Sequence, residues 1–170
     1  QMSLLKQIRE DWECNGKQWF KPGFQAIACA RFGQWRMGIK LKLLRIPFSI
    51  IYRVWFLRCR NVYGIELPYS VKLGRKVIIE HQGDIVVHGN VEIGDGCIIR
   101  QGCTLGNKSL DRPYDCPKLG NNVNIGAGAK LLGNIRVGDN VQIGANSVVV
   151  KDIESNLTVV GIPARPQTGK

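Results

Sequence analysis

The sequence predicts a mainly β protein, a parallel β-helix that follows an N-terminal α-helical segment. The first observation is an aliphatic residue at every sixth position beyond residue 64. A period of six fits neither the 3.6-residue period of an α-helix nor the two-residue alternation of a flat strand. It fits a coil that turns a corner every six residues, so that three short strands form one triangular rung and rungs stack about 4.8 Å apart. The repeat positions are Leu67, Leu73, Ile79, Ile85, Ile93, Ile99, Leu105, Leu119, Ile125, Leu131, Val137, Ile143 and Val149.

Two accompanying patterns define the inside and the corners of the coil. Glycine often follows the repeat aliphatic, as in LGRK, IGDG and IGAN, and a small or β-branched residue often stands four positions after it. We expect the aliphatic and small residues to face the core. The glycines, asparagines and aspartates should form corners, because sharp turns need residues that tolerate positive φ. The small inward positions are Val77, Cys97, Cys103, Val123, Ala129 and Val141.

The repeat is interrupted at two places. The step is eight residues between Ile85 and Ile93 and fourteen between Leu105 and Leu119, so we expect extra residues to bulge from the coil at each place. The second bulge, GNKSLDRPYDCP, contains the turn formers and charges of an exposed loop. Loops on rigid scaffolds are where binding groups concentrate.

Residues 1–62 form the helical segment, and residues 63–170 form the β-helix domain with a C-terminal tail. Apolar and basic residues alternate at helical spacing in three stretches, and Pro22 and Pro47 are suited to helix starts. We expect about three helices. Trp19, Trp35 and Trp55 are expected in the core between the helices rather than as membrane anchors.

The positive charge is concentrated in the helical segment. The chain has a net charge of +11, and residues 1–62 contain twelve Lys/Arg against three Asp/Glu. Such a surface can face nucleic acid, an anionic membrane or an acidic substrate. No zinc-finger or RNA-binding motif accompanies the charge. We expect solvated helix faces and no nucleic-acid partner, and peripheral membrane contact is the alternative.

The cysteines and the apolar stretches indicate a cytoplasmic protein. Six cysteines show no C-x-x-C pair and no metal-like spacing with the two histidines, which predicts free thiols and no metal. The start SLLKQIREDWE has charges where a signal peptide needs an apolar run. The apolar stretch 46–52 is far shorter than the roughly 20 residues of a spanning helix. The alternative location is the inner face of the cytoplasmic membrane.

Residues 64–166 resemble a known family. The segments GIELPYSVKLGRKVIIEHQG, CPKLGNNVNIGAGAKLLGN and VVGIPAR are similar to serine acetyltransferases and to their relatives, the O-acetyltransferases of exopolysaccharide and colanic acid synthesis. The resemblance implies a left-handed coil, acetyl-CoA as co-substrate and a homotrimer with active sites between subunits. The hand is implied by the resemblance alone, because parallel crossovers generally favour the right hand.

The same resemblance implies a catalytic pair. His81, in IIEHQG, matches the catalytic histidine of the family, and Glu66, in GIELP, falls at the carboxylate that orients it. A neutral imidazole can remove the proton of a hydroxyl nucleophile near pH 7, and a carboxylate can hold the imidazole and stabilise its charged form. Without that context, a histidine at a corner of the coil is ordinarily a surface residue.

Positions for the acetyl donor also follow from the family. The backbone amides of Gly106 and Asn107, at the start of the bulged loop, are expected to stabilise the oxyanion. Small residues in IGAGAK and IGAN are expected to let the pantetheine arm lie against the backbone, although turn geometry alone also explains these glycines. The expected coenzyme-binding residues are Ala127, Gly128 and Ala145, with Lys130 and Arg165 for the phosphates.

The loop departs from the pattern of serine-specific enzymes. Asp115 and Cys116 stand where those enzymes have Arg and His, and Glu80 replaces the aspartate before the catalytic histidine. An anion at Asp115 would repel the carboxylate of an amino acid, and the D-x-C-P ending is like that of the exopolysaccharide enzymes. We therefore expect these three residues to bind a sugar whose hydroxyl is acetylated in exopolysaccharide or capsule synthesis.

Three other functions remain open from the sequence. The first alternative is a serine O-acetyltransferase of cysteine biosynthesis, and the second is a nucleotide-sugar N-acetyltransferase. The third is a structural trimer without catalysis, because repeat folds do not by themselves imply an activity.

Overall fold

Three helices precede the β-strands in the computed structural model, which describes residues 3–167. They are α1 (Leu4–Cys14), α2 (Pro22–Met37) and α3 (Lys42–Tyr63). Gly64 ends α3 in the left-handed conformation, with φ of 63°. None of the helices in this part of the chain has an apolar stretch sufficient to cross a membrane.

The two prolines behave differently. Pro22 is the first residue of α2, as predicted, because a proline needs no hydrogen-bonded N–H in the first turn. Pro47 was expected to start a helix and instead lies inside α3. Its missing N–H leaves the carbonyl of Leu43 without its helical partner. Leu43 is 82% exposed, so water can satisfy that carbonyl.

The strands form three parallel sheets that wrap around one core. Sheet A consists of β1 (Ile65–Glu66), β4 (Ile85–Val87), β7 (Thr104–Gly106), β10 (Lys130–Leu132) and β13 (Val148–Val149). Sheet B consists of β2 (Lys72–Leu73), β5 (Glu92–Ile93), β8 (Lys118–Leu119) and β11 (Arg136–Val137). Sheet C consists of β3 (Ile78–Ile79), β6 (Ile98–Ile99), β9 (Asn124–Ile125), β12 (Gln142–Ile143), β14 (Thr158–Val160) and the antiparallel β15 (Arg165–Pro166). Successive strands therefore pass from A to B to C, as expected of a coil with three strands per rung.

The predicted core is confirmed at nearly every repeat position. Twelve of the thirteen repeat aliphatics are buried and Leu73 is partly buried, while the six small inward residues are fully enclosed. The corners contain glycines and asparagines with positive φ, among them Gly102, Gly128, Asn122 and Asn146. All six cysteines are free thiols.

The strand register corrects the position of the first bulge. Ile65 pairs with Ile85 and Val87 pairs with Leu105, so the two extra residues lie between Ile79 and Val87 rather than between Ile85 and Ile93. Ile85 and Val87 both point inward, which made Ile85 look like the repeat position. The widened turn is therefore the segment 80–84. The second bulge is confirmed, because Glu92 pairs with Lys118 across the loop 107–117.

The coil has three edges, which we name by their contents. At the ladder edge (74–77, 94–97, 120–123, 138–141 and 154–157), a side-chain oxygen accepts a hydrogen bond from a backbone N–H of the neighbouring rung. Asp95 accepts from Arg75 at 2.8 Å, Asn121 from Asp95 at 2.9 Å, and Asp139 from Asn121 at 2.6 Å. The His81 edge (80–84, 100–103, 126–129 and 144–147) joins sheet C to sheet A. The loop edge (88–91, 107–117, 133–135 and 150–152) joins sheet A to sheet B.

The helices cap the first rung of the coil. A Cβ at Gly23 would lie 2.2 Å from the carbonyl oxygen of Ile79, so α2 approaches β3 as closely as only glycine allows. Asn15 donates to the carbonyl of Val77 at 3.0 Å, and Arg31 donates to that of Leu73 at 2.8 Å. These contacts hold the α1–α2 connection, residues 15–21, beside the His81 edge.

Candidate active site

His81 lies on the widened turn of the His81 edge, and its side chain is exposed. Together with Glu80 and Gln82 it forms one wall of a groove of about 750 Å³. The opposite wall comes from the α1–α2 connection and includes Trp19, Phe20 and Lys21. The imidazole is thus presented to solvent in a cleft large enough for a small acceptor.

Glu66 lies on the outer face of sheet A close to this turn. Its strand follows directly after Gly64, which packs against Gly83 and Asp84 of the His81 turn: a Cβ at Gly64 would lie 3.1 Å from the backbone nitrogen of Asp84. Within residues 3–167, however, no hydrogen bond or ion pair joins the carboxylate of Glu66 to His81. The structure brings the two residues to one edge of the coil without direct contact.

Glu80 has a cationic partner on the next rung. Arg100 Nε lies 2.6 Å from Glu80 Oε2, and Arg100 Nη1 also donates to the side chain of Asn124 and to the carbonyl of Ile125. Arg100 Nη2 has no partner among the described residues, and 28% of the side chain is exposed. A carboxylate and a guanidinium therefore stand side by side, and the carboxylate lines the groove that contains His81.

The expected coenzyme residues are stacked along the same edge as His81. The N–H of Gly102 donates to Gly83, that of Gly128 to Gln101 and that of Asn146 to Ala127, each at 2.8 Å. Ala127 is half-buried and Ala145 is exposed, so two small side chains form the outer surface of successive rungs. A ligand lying along this edge would run from the rungs of Ala145 and Ala127 toward His81. Ala145 and His81 lie three rungs apart along this edge, a distance of roughly 14 Å.

Gly128 also has a structural explanation. Its φ is +76°, and a Cβ there would lie 2.1 Å from Asn146 Oδ1, so turn geometry alone requires glycine. Lys130 extends from sheet A, and its ammonium donates to the carbonyl of Gly102 on the His81 edge. Arg165 is exposed on β15 at the last rung and makes no ion pair within residues 3–167. Lys130 is therefore held at the edge, whereas Arg165 is free to move.

The remaining predicted residues lie at the loop edge. Gly106 is the last residue of β7 and Asn107 follows it, while Asp115 and Cys116 close the loop. Sheet A separates them from His81 by about four residues of strand, roughly 13 Å. Within one chain, the oxyanion and loop residues therefore do not face the imidazole.

Cys116 is paired with His88, which the sequence-based prediction did not include. Cys116 Sγ lies 3.1 Å from His88 Nδ1, and the backbone N–H of Asn90 donates to the same nitrogen at 3.2 Å. Because a backbone N–H can only donate, Nδ1 is an acceptor and a neutral His88 has its proton on Nε2. Burial, followed by the charge of Asp115, raises the pKa of the Cys116 thiol, so Cys116 remains a thiol and is not an activated nucleophile.

Arg100 and the wall residues Trp19 and Lys21 were also missed by the sequence-based prediction. The six-residue repeat could have revealed Arg100, because it places this cationic side chain on the outer face of the coil, one rung from Glu80. Trp19 and Lys21 could not be found in this way, since they come from the helical segment and reach the groove only through tertiary packing. Residues 3–167 contain no cluster of three metal-ligating side chains.

Comparison with known proteins identifies the family. Residues 116–151 match the model of the bacterial transferase hexapeptide family, described as six repeats. The chain is 43% identical over 144 residues to a serine acetyltransferase of Synechococcus elongatus, which covers 85% of this chain and 56% of the relative. It is 37% identical to a serine acetyltransferase of Helicobacter pylori, with 98% of this chain and 95% of the relative covered.

Comparison with solved structures points to the same family. The serine acetyltransferase of Brucella abortus in complex with coenzyme A superposes with a TM-score of 0.77 at 29% identity, over 96% of this chain and 65% of the other. The chain thus spans little more than half of the Synechococcus relative but nearly all of the Helicobacter one.

These matches correct one prediction and confirm another. The similarity to exopolysaccharide acetyltransferases, inferred from the loop, is not supported, because the matching relatives named above are serine acetyltransferases. The fold class is confirmed, including the left hand of the coil that is characteristic of hexapeptide transferases. The chain belongs to the serine acetyltransferase family.

Proposed function

We propose that this protein is a serine O-acetyltransferase that transfers the acetyl group of acetyl-CoA to the hydroxyl of L-serine. The observation that carries the proposal is the match over 95% of the Helicobacter serine acetyltransferase, combined with an exposed imidazole in a groove. The expected sugar acceptor was wrong. That expectation rested on Asp115 and Cys116 in the loop, and the similarity to serine acetyltransferases overturns it.

In the proposed reaction, His81 takes the proton of the serine hydroxyl as its oxygen attacks the thioester carbonyl. The tetrahedral intermediate then collapses, the carbon–sulfur bond breaks, and the imidazolium returns the proton to the thiolate of CoA. Glu66 orients His81 and stabilises its charged form. No covalent enzyme intermediate is required. The products are O-acetylserine and CoA.

The acetyl donor is proposed to lie along the His81 edge. Ala127, Gly128 and Ala145 leave room for the pantetheine arm, and Lys130 and Arg165 supply cations for the phosphates. The coenzyme A complex of the Brucella relative supports this choice of donor. Acetyl-CoA and six free thiols are consistent with a cytoplasmic reaction.

A homotrimer would complete the site. Gly106, Asn107, Asp115 and Cys116 lie at the loop edge, about 13 Å along sheet A from the His81 edge. In a trimer with cyclic symmetry, the loop edge of one subunit can face the His81 edge of its neighbour. The amides of Gly106 and Asn107 would then stabilise the oxyanion formed beside the neighbour's imidazole.

The experiment that tests the activity is an assay of CoA release with acetyl-CoA and L-serine. The parent should turn over L-serine, and His81→Ala should lose about 10²- to 10⁴-fold in kcat/KM, the usual contribution of a positioned base. Thermal unfolding of His81→Ala, which should match that of the parent because His81 is exposed, is the control for misfolding. The absence of serine acetylation by the parent, or an unimpaired His81→Ala enzyme, would refute the proposal.

Arg100 is proposed to bind the carboxylate of serine, with Glu80 binding its ammonium group. Asp115 cannot bind a carboxylate, whereas the guanidinium of Arg100 pairs with Glu80, which lines the groove with His81, and its Nη2 has no partner among the described residues. Side by side, the opposite charges match an amino-acid zwitterion.

Replacing Arg100 with Gln should raise the KM for L-serine about 10- to 100-fold, because charge-assisted hydrogen bonds contribute about 1.5–3 kcal/mol. The KM for acetyl-CoA should not change. Ethanolamine, which lacks the carboxylate, measures the selectivity: the parent should prefer serine strongly, and Arg100→Gln should lose most of that preference. If the variant retains the full preference, Arg100 does not bind the carboxylate.

A further inference from the structure

The helix α3 has two apolar faces, and only one of them is covered by the part of the chain that the structure describes. Tyr52 and Cys59 are buried, and Phe48 and Trp55 are partly buried among the aromatic side chains that join α3 to α2. The opposite side is a second apolar stripe with helical spacing of three and four residues. The outer stripe consists of Leu43, Ile46, Pro47, Ile50, Val54 and Leu57.

The outer stripe is highly exposed. Leu43 is 82% exposed, Ile50 60% and Val54 64%. The stripe extends over fourteen residue steps, about 21 Å of helix. Leu41, which immediately precedes the helix, is 66% exposed. A surface of this kind normally faces a partner or a membrane.

The charges around the stripe are all of one sign. Residues 14–65 contain ten Lys/Arg and no Asp or Glu. Lys42, Arg53 and Arg60 project along one side of the stripe at helical spacing, and all three are exposed.

Trp35 is 42% and Trp19 54% exposed, so the expectation that all three tryptophans are core residues holds only for Trp55, which is partly buried.

We propose that the outer stripe of α3 docks on an anionic lipid surface, with α3 lying in the plane of the headgroups. An amphipathic helix binds in this way when its apolar side chains enter the acyl boundary and its flanking cations meet acidic headgroups. Against a second copy of the same helix, the stripe would instead bring together like charges, and no carboxylate within residues 14–65 could neutralise them. The charge complementarity therefore favours lipid.

Vesicle flotation of the full chain tests the proposal. The protein should float with vesicles containing phosphatidylglycerol and not with pure phosphatidylcholine, and binding should weaken as salt is raised. The double variant Ile50→Glu/Val54→Glu should reduce the partition coefficient at least about tenfold, because two apolar side chains that would enter the lipid become charged. Leu5→Glu is the matched control, since Leu5 is equally apolar, lies on α1 and is 79% exposed.

A second variant tests the charges without touching the stripe. Lys42→Gln/Arg53→Gln should keep the fold and the oligomeric state, and should reduce both the binding and its salt dependence. The proposal is overturned if the parent does not bind anionic vesicles, or if it binds neutral ones equally. It is also overturned if the stripe variant binds like the parent, or if light scattering shows that this variant dissociates an oligomer, which would assign the stripe to contacts between copies.

Discussion

Arg31 is the residue that ties the helices to the first rung of the coil. Its guanidinium is 5% exposed and donates to Asp11, at 2.9 Å, and to the carbonyls of Leu73 and Gly74. Burial holds the pKa of the Asp11 carboxyl above its usual value, although the hydrogen bond from Arg31 opposes this shift. The pair also matters for the candidate site, because it fixes α1 and hence the wall of the groove beside His81.

Removing Arg31 should destabilise the protein in a pH-dependent way. We expect Arg31→Leu to lower the free energy of unfolding by about 3 kcal/mol at pH 7.5, since it leaves a buried carboxylate unpaired. Without Arg31, the folded-state pKa of Asp11 rises further above the unfolded value. The folded variant then binds the extra proton, so its stability falls as the pH rises through that window.

Urea unfolding at pH 4.5 and pH 7.5 measures this effect. The stability deficit of Arg31→Leu relative to the parent should be smaller at the lower pH. Arg9→Leu is the control, because Arg9 is 80% exposed and pairs with Glu13 at the surface. A deficit that is equal at both pH values would mean that Asp11 does not titrate with folding.

At the scale of the element, the three edges of the coil have different compositions. The ladder edge contains Asp, Asn and Ser side chains that accept hydrogen bonds from the next rung, as Ser155 does from Asp139 at 3.0 Å. The His81 edge has small side chains at the corresponding outer positions, such as Ala127 and Ala145. Backbone hydrogen bonds join its rungs at Gly102, Gly128 and Asn146, so the outer surface at Ala127 and Ala145 is left free for a ligand.

A bulky side chain at the His81 edge should weaken the binding of acetyl-CoA but not that of L-serine. Ala145 is exposed, so Ala145→Trp introduces a large side chain without disturbing the core. We expect the KM for acetyl-CoA to rise about tenfold or more, the range found when one contact of about 1.4 kcal/mol is lost, while the KM for L-serine changes little. Gln142→Trp, on the exposed outer face of sheet C, is the control. An unchanged KM for acetyl-CoA in Ala145→Trp would show that the donor lies elsewhere.

At the scale of the whole molecule, the candidate residues lie at two separate edges. His81 and Glu80 are at one edge, and Gly106, Asn107, Asp115 and Cys116 are at the other. One chain therefore presents two half-sites. This arrangement is the physical reason to expect that subunits act together.

Mixed oligomers test that expectation. His81→Ala removes the base, and Asn107→Pro removes one proposed oxyanion amide, since proline has no N–H. Each variant alone should be nearly inactive. Co-refolded in equal amounts, they should recover about a quarter of the parental activity, because in a cyclic trimer that fraction of interfaces pairs an intact His81 with an intact Asn107. Native mass spectrometry should confirm that subunits have mixed. Mixed trimers without activity would place both residues in a site formed within one chain.

The sequence by itself determined the fold. The six-residue period, the small inward residues and the corner glycines specify the coil locally, since each rung repeats the same contacts with its neighbours. It also suggested His81 and Glu66, although only through the resemblance to a known family, and their catalytic role stays a prediction. The period predicted two bulges but misplaced the first, since Ile85 and Val87 both point inward and only strand pairing distinguishes them.

Only the tertiary structure decided which residues share an edge. The pairing of Glu80 with Arg100 depends on rung register, the wall formed by Trp19 and Lys21 depends on helix docking, and the contact of Cys116 with His88 depends on how the loop closes. The loop sequence suggested a sugar acceptor, which the similarity to serine acetyltransferases corrected, and it did not show where the loop residues lie. The structure places them at another edge, because the side chains of one rung are divided among three corners that face in different directions.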